Sequence, residues 1–396
     1  GVTASIYPAS NPAASAAVAE YLVGRAASAA DGDVTTAGIA IQQAYAGNST
    51  AALQSLMVER LVTASAGSVL NVPVGSASGI GAVVDPMEVR PRLYGGFRRE
   101  VIYVSPTYEQ ELYALASLAV SRGVGIRVLS ALDDGASVGS VLTQSMHTLG
   151  QEGGGWTAAS SIASGLGAAG DGGITVLHGI ADSTDIAGVA AYLGRTSSGV
   201  VAVPMAHLLV WYRELTAAVT DDSQRARIVF ATSLPNWAGP VSGEATGAAL
   251  QTYFGAVPAT NRTPASLRGF MTQQLITYVA GRVPGLKSPS EFLRMVYGAS
   301  VIVMDTSLVA GPYFDTACAT SGTASSTCEM NIGARVIRVR SLSAALNSNA
   351  DALSITLDSG RITYRGLPTS DNSLRNIIVI VAVVGGLLVI GGICAI

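Results

Sequence analysis

The chain has 396 residues, a formal net charge of −3 and only 12% charged residues against 49% hydrophobic ones. That is long enough for two lobes with full apolar cores and too apolar for disorder. With no basic field to neutralise phosphates, a nucleic-acid partner is excluded. Lys287 is the sole lysine among 23 basic residues, a coding bias toward GC-rich codons and not chemistry.

The first hundred residues alternate short β-rich runs with amphipathic stretches. Val2 to Tyr7 reads as a strand, Pro12 to Ala30 as a helix, Ala37 to Ala44 as a strand, Thr50 to Arg60 as a helix and Leu61 to Leu70 as a strand. Alternation at this length predicts right-handed βαβ units around a parallel sheet. The chain opens Gly1-Val2-Thr3 with no initiator Met or signal peptide and reads as a portion of a longer protein.

From residue 101 the rhythm restarts. A strand ends at Ser105-Pro106, and a helix from Tyr108 to Arg122 carries Glu109 and Glu111 in its first turn, where acidic groups complement the helix dipole. Strand Gly125 to Ala131 leads through Asp133-Asp134-Gly135 to a helix over Ser137 to Leu149. The Gly-rich stretch 150–173 reads as an irregular insertion. Strand Ile174 to Gly179, helix Ser183 to Gly194, strand Gly199 to Pro204, helix Ala206 to Val219 and strand Ala226 to Ser233 complete a second α/β run. Helices follow over Gly243 to Gly255, Pro264 to Val283 and Pro289 to Tyr297. The tail turns β-like over Ala334 to Ser341, Ala352 to Leu357 and Arg361 to Gly366, with Asp358-Ser359-Gly360 as a hairpin turn. Residues 377–396 contain no charge and match the length of a bilayer-spanning helix of about 30 Å.

The expected organisation is therefore a first α/β lobe at 1–100, a second at 101–235 containing the insertion, a helical return at 236–310, a β-rich membrane-proximal segment at 311–368, a linker at 369–376 and a single transmembrane helix at 377–396. Cys318 and Cys328, ten residues apart in a loop poor in apolar residues, are expected to form a disulfide. Cys394 reads as a small apolar membrane residue. Asn48 and Asn261 open glycosylation sequons, which fits an exported N-terminal body. Gly385 and Gly392 share one face of the membrane segment and offer a close-packing surface for a homodimer.

Catalytic motifs are weak. Gly165 to Gly170 spells G-x-G-x-x-G but precedes a strand, so it cannot aim helix amides at a pyrophosphate. The segment Gly281 to Ser288 resembles a phosphate loop only loosely. Gly135-Ala136-Ser137-Val138-Gly139 fits a nucleophile elbow, with Asp182, Asp185, His178 and His207 formally available, which makes a serine hydrolase the enzymatic alternative. Asp134 or Ser137 as a helix N-cap explains the same letters. No histidine or cysteine spacing suggests a metal site, and neither a catalytic residue nor a cofactor is assigned.

Several phrases resemble the ectodomain of the receptor-type adenylate cyclases of kinetoplastid protozoa. They are VIYVSPTYEQELYALASLAV (101–120), FATSLPNWA (230–238), SEFLRMVYGASVIV (290–303), LVAGPYFDTAC (308–318) and STCEMNIGARVIRV (326–339). The resemblance implies a two-lobed, type I periplasmic-binding-protein-like α/β fold, a Venus flytrap. Ligand would sit at the C-terminal edges of the parallel strands. Cleft candidates are then Ser76, Ser78, Ser105, Thr107, Ser233, Asn236 and Trp237; capping of helices and loops is the competing role for their hydroxyl and amide groups. Trp211, Tyr212, Tyr253 and Phe254 read as core. The resemblance further implies a surface receptor, single-pass and homodimeric, that senses a small polar ligand or a surface partner. ATP and divalent metal would belong only to a cytoplasmic cyclase domain outside this chain. A structural or adhesive surface protein on the same scaffold is the alternative.

Overall fold

The computed structural model describes residues 4–6, 20, 41–43, 83–84, 101–102, 104–241, 246–282, 289–299, 301–304, 309–311, 313, 334, 336–348 and 355–358. In the N-terminal hundred, β1 (Ala4–Ile6) pairs in parallel with β2 (Ile41–Gln43), and β3 (Val83–Val84) with β4 (Val101–Ile102). These pairings agree with the parallel arrangement that the alternation predicts.

Beyond β4 the chain builds a doubly wound unit. Helix α1 (Tyr108–Arg122) occupies the predicted span. Its start is set by a capping box: Gln110 N donates to Thr107 Oγ1 at 3.2 Å, and Thr107 N donates to Gln110 Oε1 at 2.8 Å. Its end is set by Gly123, whose φ of 63° closes the last turn in the left-handed region. Then come β5 (Ile126–Ser130), α2 (Gly135–Thr148), β6 (Trp156–Ala158), α3 (Ile162–Ala168), β7 (Ile174–His178), α4 (Ser183–Arg195), β8 (Val200–Ala202), α5 (Met205–Ala218), the short α6 (Asp222–Arg225) and β9 (Ile228–Thr232). A helical run follows: α7 (Ala248–Ala256), α8 (Pro264–Arg282) and α9 (Pro289–Gly298). Two short strands, β10 (Ile302–Val303) and β11 (Val309–Ala310), pair antiparallel. The last described elements are β12 (Val336–Ser341), α10 (Leu342–Asn347) and β13 (Ile355–Asp358).

The main sheet has the order β13-β12-β9-β8-β7-β5-β6. Strands β6, β5, β7, β8 and β9 run parallel; β12 and β13 continue the sheet antiparallel. Every residue of β7 and β9 is buried, as expected for central strands covered on both faces. Val128, Val176 and Ala231 look toward α1 and α2, in one apolar cluster with Leu112, Leu115 and Leu142. Leu129, Leu177 and Phe230 look the other way, in a cluster with Leu166, Val189, Leu208 and Trp237. A separate apolar cluster gathers Ile102, Leu275, Phe292, Val296, Ile302 and Tyr313 around α8, α9 and β10.

Two expectations need correction. The stretch 150–173 is not irregular: it carries β6 and α3, a further βα unit at the sheet edge. Small residues that resemble linker composition serve there as close-approach points. A Cβ on Gly188 in α4 would lie 2.6 Å from Ala163 Cα in α3, and one on Gly165 would lie 2.4 Å from Leu129 Cδ1. The second correction concerns the β-rich tail. Strand β12 pairs with β9, Arg338 opposite Thr232 and Ser341 opposite Val229, so it extends the main sheet. The expected Asp358-Ser359-Gly360 turn, beyond Asp358, and the strand over 361–366 lie outside the described residues. The expected helices over 12–30 and 50–60 (only Glu20 excepted), the strand over 61–70, Cys318, Cys328, Cys394, Asn48, Ser76, Ser78, the glycine face of Gly385 and Gly392 and the span 377–396 lie outside the described residues. Among the described residues no helix is long and apolar enough to cross a membrane.

Candidate functional site

The parallel strand order β6-β5-β7-β8-β9 reverses direction once. From β5 the chain steps outward to β6, then returns across β5 to β7, so the switch point lies between β5 and β7. In such sheets the crevice at the C-terminal strand ends beside the switch point is where ligands bind. Ser130 and His178 end these two strands and are paired in register.

His178 is completely buried and is held from two sides. Its Nε2 lies 2.6 Å from Asp134 Oδ1, and its Nδ1 lies 3.3 Å from the Tyr108 hydroxyl. An ionised carboxylate can only accept, so Nε2 carries the proton toward Asp134, and in the neutral ring Nδ1 accepts from Tyr108. Asp134 stands at the N-cap position of α2 but makes no capping hydrogen bond with its side chain. The carboxylate has turned from the helix end, where an Asp usually sits, to the histidine. A buried charge needs such a partner, since an unpaired carboxylate in apolar surroundings is strongly disfavoured.

The neighbouring helix ends are tied in the same way. Met205 N, at the start of α5, donates to Glu111 Oε2 at 2.8 Å. Pro204 at the N-cap offers no side-chain acceptor, so the acidic residue of α1 satisfies the helix end and its dipole. Gly179 N donates to His207 Nε2 at 3.0 Å. Gly179 has φ 103°, and a Cβ there would come within 2.7 Å of Leu132 Cγ, so only glycine lets the chain leave β7 on this path. The His178 and His207 rings are 6.3 Å apart. Tyr108, Glu109, Glu111, Asp134, His178 and His207 thus form a buried polar layer where α1, α2 and α5 begin. Among the described residues no group of His, Cys, Asp or Glu has a metal-binding arrangement.

The predicted cleft residues divide. Thr107 is buried and its hydroxyl caps α1. Ser105 is buried beside it. Asn236 Oδ1 accepts from Ala238 N at 2.9 Å and its Nδ2 donates to Ala344 O at 3.5 Å, so it shapes the loop after β9. Trp237 is a correction: it is completely buried, donates from Nε1 to the Tyr212 hydroxyl at 3.0 Å and packs against Phe230, which makes it core. Its size lets it fill the space between β9 and α5, and the tyrosine satisfies its one donor. Burial also pushes the Tyr212 phenol above its usual range, partly opposed by the Trp237 hydrogen bond. Ser233 differs: its Oγ is buried without a hydrogen-bond partner at the end of β9. Trp211, Tyr212 and Tyr253 are buried as read, with Phe254 packed partly buried against them.

The hydrolase alternative is also corrected. Ser137 is exposed on the first turn of α2, while Gly135 and Gly139 take the buried face. The histidine that such a serine would need faces Asp134 and Tyr108. Asp182 caps α4, accepting from Thr184 N and Asp185 N. Asp185 accepts from Ala163 N and Ala181 N, joining α3 to α4. Sequence reasoning noted Asp134, His178 and His207 but assigned them to other roles. The usable signal was His178 itself, a histidine at the C-terminal end of a parallel strand.

Comparison with known proteins agrees with this architecture. The family model described as adenylate cyclase, periplasmic binding protein-like domain matches residues 4–359. The receptor-type adenylate cyclase ESAG 4 of Trypanosoma brucei brucei is 30% identical over 312 residues, covering 74% of this chain and 24% of that protein. A receptor-type adenylate cyclase of Trypanosoma congolense is 28% identical over 306 residues, covering 75% of this chain and 39% of that protein. The chain therefore spans between a quarter and two fifths of these relatives. Among solved structures, an extracellular ligand-binding receptor from Verminephrobacter eiseniae superposes with a TM-score of 0.58 at 14% identity, covering 86% of this chain and 97% of that one. The leucine-binding protein LivK of Thermotoga maritima gives 0.58 at 11% identity, covering 91% and 99%. The fold is periplasmic-binding-protein-like, and the chain belongs to the family of adenylate cyclase periplasmic-binding-protein-like domains.

Proposed function

We propose that this chain is the extracellular sensing module of a receptor-type adenylate cyclase and its membrane anchor, the anchor being residues 377–396. A small polar ligand or a surface partner would bind at the C-terminal edge of the parallel strands and bias the packing of the ectodomain. Two copies, approaching through Gly385 and Gly392, would pass that bias to cytoplasmic domains that make cAMP. ATP and divalent metal are needed only there. The effector must bind two ectodomain states with different affinity, because equal affinity shifts nothing.

The observation that carries the reading is the buried Asp134–His178–Tyr108 chain at the switch point. It joins the end of β7 to the first residue of α1, the helix entered directly from β4 and the crossover segment 104–107. A polar chain at that joint gives a small rearrangement of side chains a route to a larger movement of backbone, whereas an apolar joint would be the more stable choice. Thr107 and Asn236 are engaged in capping, which favours the adhesive scaffold as the second reading.

The test uses the full receptor in its own membrane. Tyr108→Phe and His178→Gln are expected to change cAMP output at unchanged surface abundance, while the exposed Ser137→Ala leaves it unaltered. Output indifferent to both variants and to every extracellular addition would refute the sensing role and leave the adhesive one.

A further inference from the structure

The turn between α7 and α8 carries a feature that sensing does not use. Residues Ala259–Asn261 form a single 3-10 turn, and Asn261 is exposed at its end. The next residue is folded inward: Arg262 donates from Nε to Val257 O at 2.9 Å, from Nη1 to Ala238 O at 3.3 Å and from Nη2 to Phe254 O at 2.6 Å. Thr263, third in the sequon, is 2% exposed. Its Oγ1 donates to Glu20 Oε2 at 2.7 Å and accepts from Ser266 N at 3.2 Å. Glu20 also pairs with Arg213 of α5, and Arg213 Nη2 donates to Thr260 O at 3.2 Å. The sequon thus sits on a clasp joining three stretches of chain distant in sequence.

We propose that Asn261 carries an N-linked oligosaccharide, and that it is attached before this turn closes. The acceptor motif requires the hydroxyl at its third position to be within reach of the transferring enzyme. In the folded chain that hydroxyl is committed to Glu20 and Ser266, while Asn261, whose amide receives the sugar, is exposed. Transfer therefore precedes the arrival of Glu20, and the product is compatible with the closed fold. In the step itself, the bond between the sugar C1 and the pyrophosphate of a lipid-linked oligosaccharide breaks and a C1–Nδ2 bond forms on Asn261. The amide gives up one proton, and the lipid pyrophosphate leaves.

The inference rests on the surface placement proposed above, and the test separates the two. The full chain is expressed through the secretory route of a eukaryotic cell, and its surface fraction is measured by labelling intact cells. Amidase release of glycans, which converts the modified residue to aspartate, is followed by electrophoresis and peptide mass spectrometry. Asn261→Gln is expected to abolish one discrete mobility step that Asn48→Gln leaves in place, and Thr263→Ser is expected to keep it. A surface-labelled chain with an unmodified Asn261 overturns the glycan while the placement stands. A chain held inside and unmodified overturns both. For the timing, the folded chain made in bacteria should be a far poorer acceptor for purified transferase and lipid-linked donor than a peptide of residues 255–268. Equal modification of the two overturns the order of events.

Discussion

The two ends of the main sheet use similar residues for opposite purposes. At the N-terminal strand ends, polar side chains face water and hold loops. Asp171 accepts hydrogen bonds from the backbone amides of Ser197, Ser198 and Gly199 and from both serine hydroxyls. Arg195 covers the carbonyls of Leu166, Gly167 and Ala169 at the end of α3, and Arg227 donates to Leu193, Thr196 and Gly199. At the C-terminal ends, Asp134, His178, Tyr108, Glu111 and His207 are buried and bond to one another, to a helix start or to the backbone that leaves β7. A parallel sheet produces this contrast, because every helix that follows a strand begins at the strand's C-terminal end and points unsatisfied amides there. One end needs acceptors for amides in a dry crevice; the other needs only loop closure in solvent.

The largest effect should come from breaking the dry end. His178→Ala removes a hydrogen-bond donor from the buried Asp134 carboxylate, and the expected loss is about 3 kcal/mol of stability, read by urea denaturation of the ectodomain. A loss no larger than that of an ordinary surface substitution would mean that Asp134 is already solvated and the contrast between the ends is false. Between the two ends, the helical layer has its own limit. Gly188→Ala would put a methyl 2.6 Å from Ala163 Cα, a backbone atom that cannot turn aside. Overpacking of this kind costs about 1–3 kcal/mol, and a shift in thermal midpoint smaller than that of an exposed Gly→Ala would show that α3 and α4 do not touch.

The smallest effect belongs to the wet end and is visible mainly in acid. Four hydrogen bonds from Ser197 and Ser198 to Asp171, those of the backbone amides foremost, hold its carboxyl far below its ordinary value of 3.8. A folded-state pKa below the unfolded one gives stability that is complete above the unfolded value and is lost as pH falls through it toward the folded one. The thermal midpoint should therefore decline from about pH 4 downward more steeply in the native chain than in Asp171→Asn. Parallel curves would remove Asp171 from the account of the wet end.

Local rules carried α1 in full: the Thr107–Gln110 capping box and Gly123 are signals within a few residues of the ends they set. The same rules were misled at 150–173, where glycine composition suggests a linker and the structure has β6 and α3. Glycine has one composition signal but two uses, flexibility and close approach, and only the neighbour at the contact tells them apart. For the candidate site, Asp134 was legible as an N-cap and His178 as a strand end, yet their bond joins residues 44 apart in sequence. Trp237, placed by its strand-end position in a cleft, is instead drawn into the core by Phe230 and Tyr212.

By itself the amino-acid sequence determined the alternation of strands and helices, the parallel α/β class and the family to which the chain belongs, because periodicity, caps and short phrases are properties of neighbouring residues. Tertiary structure alone decided that β12 joins β9, that α3 packs on α4, and that Tyr108, Asp134 and His178 meet at the switch point. Those outcomes depend on which strand lies beside which, and strand order is set by burial over the whole sheet, a quantity that no window of sequence contains.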